Sequence, residues 1–236
     1  MTSVGINGLG RIGRLLTRRL FERHDARAAL RLTMCNEVAD AATVAHLLKY
    51  DSTHGRFSQP VMTDGDHLNI VDQAVLLTHE TAQSKVRWSD RDVNIVIDCT
   101  GVEFNRSSAA QHLGGSVSRV MLSQPASTDV DGTIIWGLND STLTPDMSVI
   151  SAGSCTSNAL MPVLSVIDEA FGIRAGIVTT IHSAMNDQPV IDAYHHTDLR
   201  KTRAAFNSVI PVETGLAQGV ERFFPHLTHK ISARAL

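Results

Sequence analysis

The segment Gly8-Leu9-Gly10-Arg11-Ile12-Gly13 constrains this chain more than any other. It has the spacing GxGxxG and lies between a short apolar run, Val4-Gly5-Ile6-Asn7, and a stretch in which Ile12, Leu15, Leu16, Leu20 and Phe21 recur at helical spacing. Strand, tight turn and helix in that order open a dinucleotide-binding βαβ unit. Glycines there let the backbone turn sharply and approach a pyrophosphate, which the N–H groups and dipole at the helix N-terminus can hold. Leu30, Leu32 and Met34 alternate as a second strand, which completes the unit by residue 36. Glu37 follows it, where a carboxylate accepts hydrogen bonds from the adenosine ribose and repels a 2′-phosphate, so NAD is favoured over NADP. The competing readings are a glycine turn in an unrelated fold and a merely solvated carboxylate.

The rest of the chain continues the alternation. Asp40 is placed to cap a helix carrying Val44, Leu47 and Leu48. The runs 93–97 and 117–122 read as strands separated by a helical 107–113, as in a parallel sheet, and Ile134-Ile135 and Val149-Ile150 as two more. A second region begins near Ser151, with a helix around Leu160 to Phe171, a β-rich run from Gly176 to Ile181 and a long polar loop from Asn186 to Arg203. The expected fold is α/β: a Rossmann NAD-binding domain over residues 1–152, then an α+β domain over 153–236.

Composition removes several function classes. With 43% hydrophobic and 19% charged residues, and no apolar run long enough to span a bilayer, the 236 residues read as an ordinary globular chain. Asn7, Gly8, Gly10 and Arg11 break the first apolar stretch, so no signal peptide is expected and the cytosol is the expected location. The three cysteines are odd in number and far apart, which fits free thiols in a reducing compartment. A formal charge of −3 without a Lys/Arg cluster argues against nucleic acid and for a small-molecule partner.

One thiol stands apart. Cys155, in Ser154-Cys155-Thr156-Ser157-Asn158, falls between a strand ending at Ser151 and the next helix, at or near a helix N-terminus where the dipole favours a thiolate. Pro162 implies that this helix starts late or is kinked. Cys35 and Cys99 lie at strand ends in apolar surroundings, as inert core cysteines do. His182 closes the β-rich run, from which a side chain can project into a cleft. Any one of the 11 histidines taken singly reads as a surface or satisfied core residue, and His195-His196 lack a further ligand at metal-site spacing.

These segments, taken in order, resemble the glyceraldehyde-3-phosphate dehydrogenase superfamily. The resemblance is carried by residues 5–14, Tyr50-Asp51-Ser52-Thr53-His54-Gly55-Arg56-Phe57, Cys99-Thr100-Gly101, residues 154–158 and Thr179-Thr180-Ile181-His182. Within the superfamily, His182-Ser183-Ala184-Met185-Asn186-Asp187-Gln188 and Val190-Ile191-Asp192-Ala193-Tyr194-His195 are most similar to bacterial D-erythrose-4-phosphate dehydrogenases. Phosphorylating glycolytic members usually carry Thr where this chain has Met185.

The resemblance implies that Cys155 is the nucleophile and His182 its base. It places Ser154, Thr156, Thr214 and Gly215 at a site for inorganic or substrate phosphate, with Arg200 or Lys201 adding positive charge. It sets Asn7, Arg11, Ile12, Glu37, Thr100 and Ser123 along the dinucleotide, with Gly8, Gly10, Gly13 and Gly101 giving the backbone room; Asp187 and Gln188 are read as holding the long loop in shape. The implied activity is NAD-dependent oxidation of D-erythrose 4-phosphate to 4-phosphoerythronate through a thioester, a step towards pyridoxal phosphate. Glycolytic oxidation of glyceraldehyde 3-phosphate is the first rival and a catalytically dead NAD-binding module the second. The family's sequence continues past Leu236 into an Arg-Val-Pro-Thr segment, so the resemblance implies an incomplete α+β catalytic domain. A homotetramer is expected of a longer version, and little turnover of the chain as it stands.

Overall fold

The computed structural model describes residues 1–102, 105–185, 188–195 and 198–236. They form two compact units, Met1–Ser154 and Cys155–Leu236.

The first unit runs β1 (Thr2–Asn7), α1 (Arg11–Glu22), α2 (His24–Ala29), β2 (Leu30–Asn36), α3 (Ala41–Lys49), the short pair β3 (Tyr50–Asp51) and β4 (Gly55–Arg56), β5 (Val61–Asp64), β6 (His67–Ile70), β7 (Gln73–Thr78), β8 (Ile95–Asp98), α4 (Arg106–Ala109), β9 (Arg119–Leu122), β10 (Gly132–Thr133) and β11 (Val149–Ser151). Nine strands make one sheet in the order β10-β11-β9-β8-β1-β2-β7-β6-β5. It is parallel from β10 to β7 and antiparallel through β6 and β5. Because β2 lies on one side of β1 and β8 on the other, the order reverses at β1, and a crevice opens at the carboxyl ends of these strands. Asn7, Asn36 and Asp98, their last residues, lie in register there.

Local chemistry fixes the helices as the sequence leads one to expect. The Asp40 carboxylate accepts the Thr43 N–H and caps α3. Leu16 and Leu20 of α1 pack on the cluster that contains Ile6, Phe21 and Leu32.

Several expected boundaries move. The simple alternation of Leu30, Leu32 and Met34 fails, because the register with β1 slips between Val4↔Leu32 and Gly5↔Met34. The slip leaves Thr33 as an extra residue, so Leu32 and Met34 enter different core clusters although they are two positions apart. The strand expected at Ile134-Ile135 lies two residues earlier, at Gly132–Thr133, while β8 and β9 each begin two residues later than the apolar runs do. The helical 107–113 is α4 followed by a 3-10 turn, Ala110–His112.

The second unit contains α5 (Cys155–Phe171), β12 (Gly176–Thr180), a 3-10 turn at Leu199–Thr202, α6 (Leu216–Phe223) and β13 (Ile231–Ala235), which pairs in parallel with β12. The helix expected around Leu160 begins at Cys155 and runs through Pro162. Proline gives up its own N–H bond, yet Met161 and Leu164 on either side are buried, and that packing carries the helix across. Within the stretch from Asn186 to Arg203, residues 188–195 form no helix or strand; Asn186, Asp187 and His196 lie outside the described residues. Among the described residues no helix is long and apolar enough to cross a membrane.

Candidate active site and cofactor cleft

In the second unit the thiol and the imidazole meet. Cys155 is the first residue of α5 and His182 follows β12, and the distance from Cys155 Sγ to His182 Nε2 is 3.4 Å. His182 Nδ1 lies 2.7 Å from the Ser183 carbonyl oxygen, which can only accept, so Nδ1 carries the proton and Nε2 presents its lone pair to sulfur.

The other two thiols differ in kind. Burial pushes the Cys35 thiol far up and Cys99, also through burial, up to about 12, whereas Cys155 is exposed. Brief treatment with iodoacetamide at neutral pH is therefore expected to label Cys155 first, Cys99 slowly and Cys35 only on unfolding. Peptide mapping reads the order, and preferential labelling of Cys99 would remove Cys155 from its assigned role.

The first unit holds a cleft of about 320 Å³ lined by Asn7, Gly8, Gly10, Glu37 and Thr100 among the residues expected there, together with Asn36, Val38, Glu80, Thr81, Gln83, Cys99 and Val102. Gly8 adopts a φ of +87°, and a Cβ on it would come within 3.0 Å of the Cys99–Thr100 backbone. A Cβ on Gly10 would meet nothing within 4 Å, so the loop leaves open space at the start of α1 for a phosphate group. The Glu37 carboxylate accepts the Leu9 N–H at 2.7 Å, which ties the end of β2 to the glycine loop. Among the described residues no Lys or Arg lines the cleft, and Glu37 and Glu80 both do, a charge balance that suits a ribose diol and opposes a 2′-phosphate.

The remaining expected cofactor residues lie outside that lining. Arg11 and Ile12 open α1 on its exposed side, and Gly13 packs against the Gly8 carbonyl. Gly101 has a φ of +72°. Ser123 donates its backbone N–H to the Asp98 carbonyl and its hydroxyl to Gln124. Asn7, which does line the cleft, donates its side-chain amide to the carboxylate of Asp98. Among the lining residues that sequence reasoning missed, Glu80, Thr81 and Gln83 follow β7. That strand belongs to a meander announced by Asp64-Gly65, an Asp-Gly turn signal.

Of the expected substrate residues, Thr214 and Gly215 stand at the N-terminus of α6, with Thr214 Oγ1 accepting the Leu216 N–H. Arg200 lies close by, since its guanidinium forks onto Asp198 and reaches Glu213 at 3.6 Å, so its charge is already shared between two carboxylates. Lys201 occupies the same 3-10 turn. Thr156 is the second residue of α5, and Ser154 closes the first unit.

Asp98 is a buried, hydrogen-bonded charge of the first unit. Burial acts to raise its pKa, but hydrogen bonds from His112, Thr100 and Asn7 outweigh it and hold the carboxyl below the usual carboxylate value. A depressed pKa contributes stability above the unfolded value of about 3.9, and that contribution is lost as pH falls through the lower folded value. The unfolding temperature is thus expected to drop on acidification below about pH 4. The drop should be shallower in Asp98→Asn; parallel curves for the two proteins would contradict the assignment.

A glycine turn bordered by Glu37 and Glu80, with no Lys or Arg among the described lining residues, has the chemistry that suits a dinucleotide of the NAD type. Two family models match the chain: glyceraldehyde 3-phosphate dehydrogenase, NAD binding domain, over residues 2–106, and glyceraldehyde 3-phosphate dehydrogenase, C-terminal domain, over residues 154–236. The chain belongs to the glyceraldehyde 3-phosphate dehydrogenase family, NAD-dependent dehydrogenases of phosphorylated aldehydes, and its cofactor is NAD.

Proposed function

We propose that the chain oxidises D-erythrose 4-phosphate to 4-phosphoerythronate, with Cys155 as nucleophile and His182 as general base. The observation that carries the reading is the 3.4 Å approach of His182 Nε2 to Cys155 Sγ, with Nδ1 committed to the Ser183 carbonyl. His182 takes the thiol proton, and the thiolate attacks the aldehyde carbon to form a hemithioacetal. The protonated imidazole and the Cys155 backbone N–H face the developing oxyanion. NAD, when bound, would supply the two-electron acceptor for the hydride on that carbon, and the product held by Cys155 is then a thioester. His182 gives the thiol proton to solvent, and its freed Nε2 then takes a proton from the water that attacks the thioester carbon; the C–S bond breaks, Cys155 leaves as the thiolate and the acid is released.

Water rather than phosphate as the acyl acceptor is supported by Met185, because a thioether supplies no hydroxyl donor for an anion where phosphorylating relatives usually carry Thr. The second reading, phosphorolysis of a glyceraldehyde 3-phosphate thioester, draws on Thr214 and Gly215 at the start of α6, a position suited to inorganic phosphate. NADH formation with each aldehyde, with and without phosphate, separates the two. A preference for erythrose 4-phosphate that is indifferent to phosphate supports the first, and a rate that follows phosphate and favours glyceraldehyde 3-phosphate overturns it. Protection of Cys155 from iodoacetamide by each aldehyde ranks their occupancy even where turnover is slow. A homotetramer belongs to the same reading, and sedimentation tests it.

A further inference from the structure

A line of directed hydrogen bonds runs beneath the cofactor cleft and ends on a buried carboxylate. Asn36 Oδ1 accepts from the Thr78 hydroxyl and the Glu80 N–H, both at 2.9 Å. Asn36 Nδ2 donates to the Glu80 carbonyl and to Asn7 Oδ1, and Asn7 Nδ2 donates to Asp98 Oδ2 at 2.8 Å. Asp98 Oδ1 accepts from the Thr100 N–H at 3.0 Å and the Thr100 hydroxyl at 2.7 Å. The residues on this line that border the cleft are Asn7, Asn36, Glu80 and Thr100.

The last donor comes from outside the cleft. His112 Nε2 lies 3.2 Å from Asp98 Oδ2, with the imidazole wholly buried and Asp98 2% exposed. On the far side of the ring, Trp88 Nε1 donates to His112 Nδ1 at 3.0 Å. An indole N–H can only donate, so Nδ1 must offer a lone pair and the ring proton must sit on Nε2, aimed at Asp98. Trp88 thereby selects the one neutral tautomer that completes the shell around the carboxylate.

We propose that His112 is a positioning residue for the cofactor cleft: held in its Nε2–H tautomer by Trp88, it fixes Asp98, and through Asp98 the Thr100 turn and the Asn7 amide that border NAD. The inference rests on the reading of this cleft as the NAD site. Asp98 is the last residue of β8, and the turn that follows takes its shape from the two Thr100 bonds to Oδ1. A carboxylate short of one donor in so dry a place turns to recover it, and the turn swings with it. Groups bordering a ligand lose their effect when displaced by about 1 Å.

Nitrogen-15 NMR of the unliganded protein tests the tautomer without any substitution, and calorimetric titration with NAD tests the consequence. The expected spectrum shows a protonated Nε2 and an unprotonated Nδ1 on His112. His112→Phe, which removes the donor, and Trp88→Phe, which frees Nδ1, are each expected to weaken NAD binding about tenfold or more, the scale of a hydrogen bond to a charged group. His112→Gln, which keeps a donor near Nε2 and an acceptor for the indole, should recover most of the affinity. Comparison at matched unfolding temperature separates positioning from loss of fold, and if His112→Phe unfolds, Trp88→Phe and the wild-type spectrum still decide. A proton on Nδ1 in the wild type, or unchanged NAD affinity in folded His112→Phe or Trp88→Phe, overturns the proposal. Failure of the wild type to bind NAD overturns the cofactor reading instead, and this one with it.

Discussion

Replacing Gly13 by alanine is expected to lower the unfolding temperature of the Met1–Ser154 unit by roughly 6–12 °C and to abolish measurable NAD binding. A Cβ at Gly13 would sit 2.0 Å from the Gly8 carbonyl oxygen, a distance no real methyl tolerates, and 3.0 Å from its carbon. Both atoms are backbone, so relief requires α1 to move away from the glycine loop and from Ile6 of β1 beneath it. Overpacking at a rigid site costs about 3 kcal/mol, and a domain of this size loses roughly 2–4 °C per kcal/mol. Gly10→Ala is the control that separates packing from ligand contact. Its Cβ meets nothing within 4 Å, so the unfolding temperature should hold while NAD affinity falls, the methyl taking space otherwise open to a phosphate. Calorimetry and thermal unfolding of both variants read the contrast, and a folded Gly13→Ala that binds NAD normally would refute the account of the loop.

The two glycine positions show what can be read from sequence and what cannot. The loop, the strand before it and the Glu37 carboxylate are local in sequence and obey fixed spacing, so their placement follows from the residues alone. The β2 bulge at Thr33 is set by pairing with a strand some thirty residues away, and no periodicity in β2 announces it. The bond from His112 to Asp98 and that from Trp88 to His112 span 14 and 24 residues, and a lone buried histidine or tryptophan has no local signature of its partner. The start of α5 was obscured by Pro162, because intrinsic propensity marks proline as a breaker while packing of Met161 and Leu164 overrides it. Cys155 and His182 were each legible as residues at element ends. Their 3.4 Å approach depends on the fold of the second unit, which brings the head of α5 to the tail of β12.

That approach makes a quantitative demand on His182. In His182→Asn the rate of Cys155 alkylation at neutral pH, and of acylation by a phosphorylated aldehyde in the presence of NAD, is expected to fall on the order of 10²–10⁴-fold, the range that a positioned general base supplies. Asparagine is the informative replacement because its amide nitrogen lies where Nδ1 does and can still donate to the Ser183 carbonyl, so the backbone turn after β12 keeps its 2.7 Å anchor. What it lacks is a basic lone pair towards Sγ. Cys155 stays at the head of α5, where the helix dipole still favours an anion, and that residual effect is worth only about 0.3–1 kcal/mol at an exposed site. The larger loss must therefore come from the missing base. Cys155→Ala fixes the floor of the assay, since no thioester forms without sulfur. Stopped-flow NADH formation and timed alkylation give the two rates independently. A His182→Asn protein within about twofold of wild type in both, a difference of no more than about 0.4 kcal/mol, would show that the imidazole is a neighbour of the thiol and not its base.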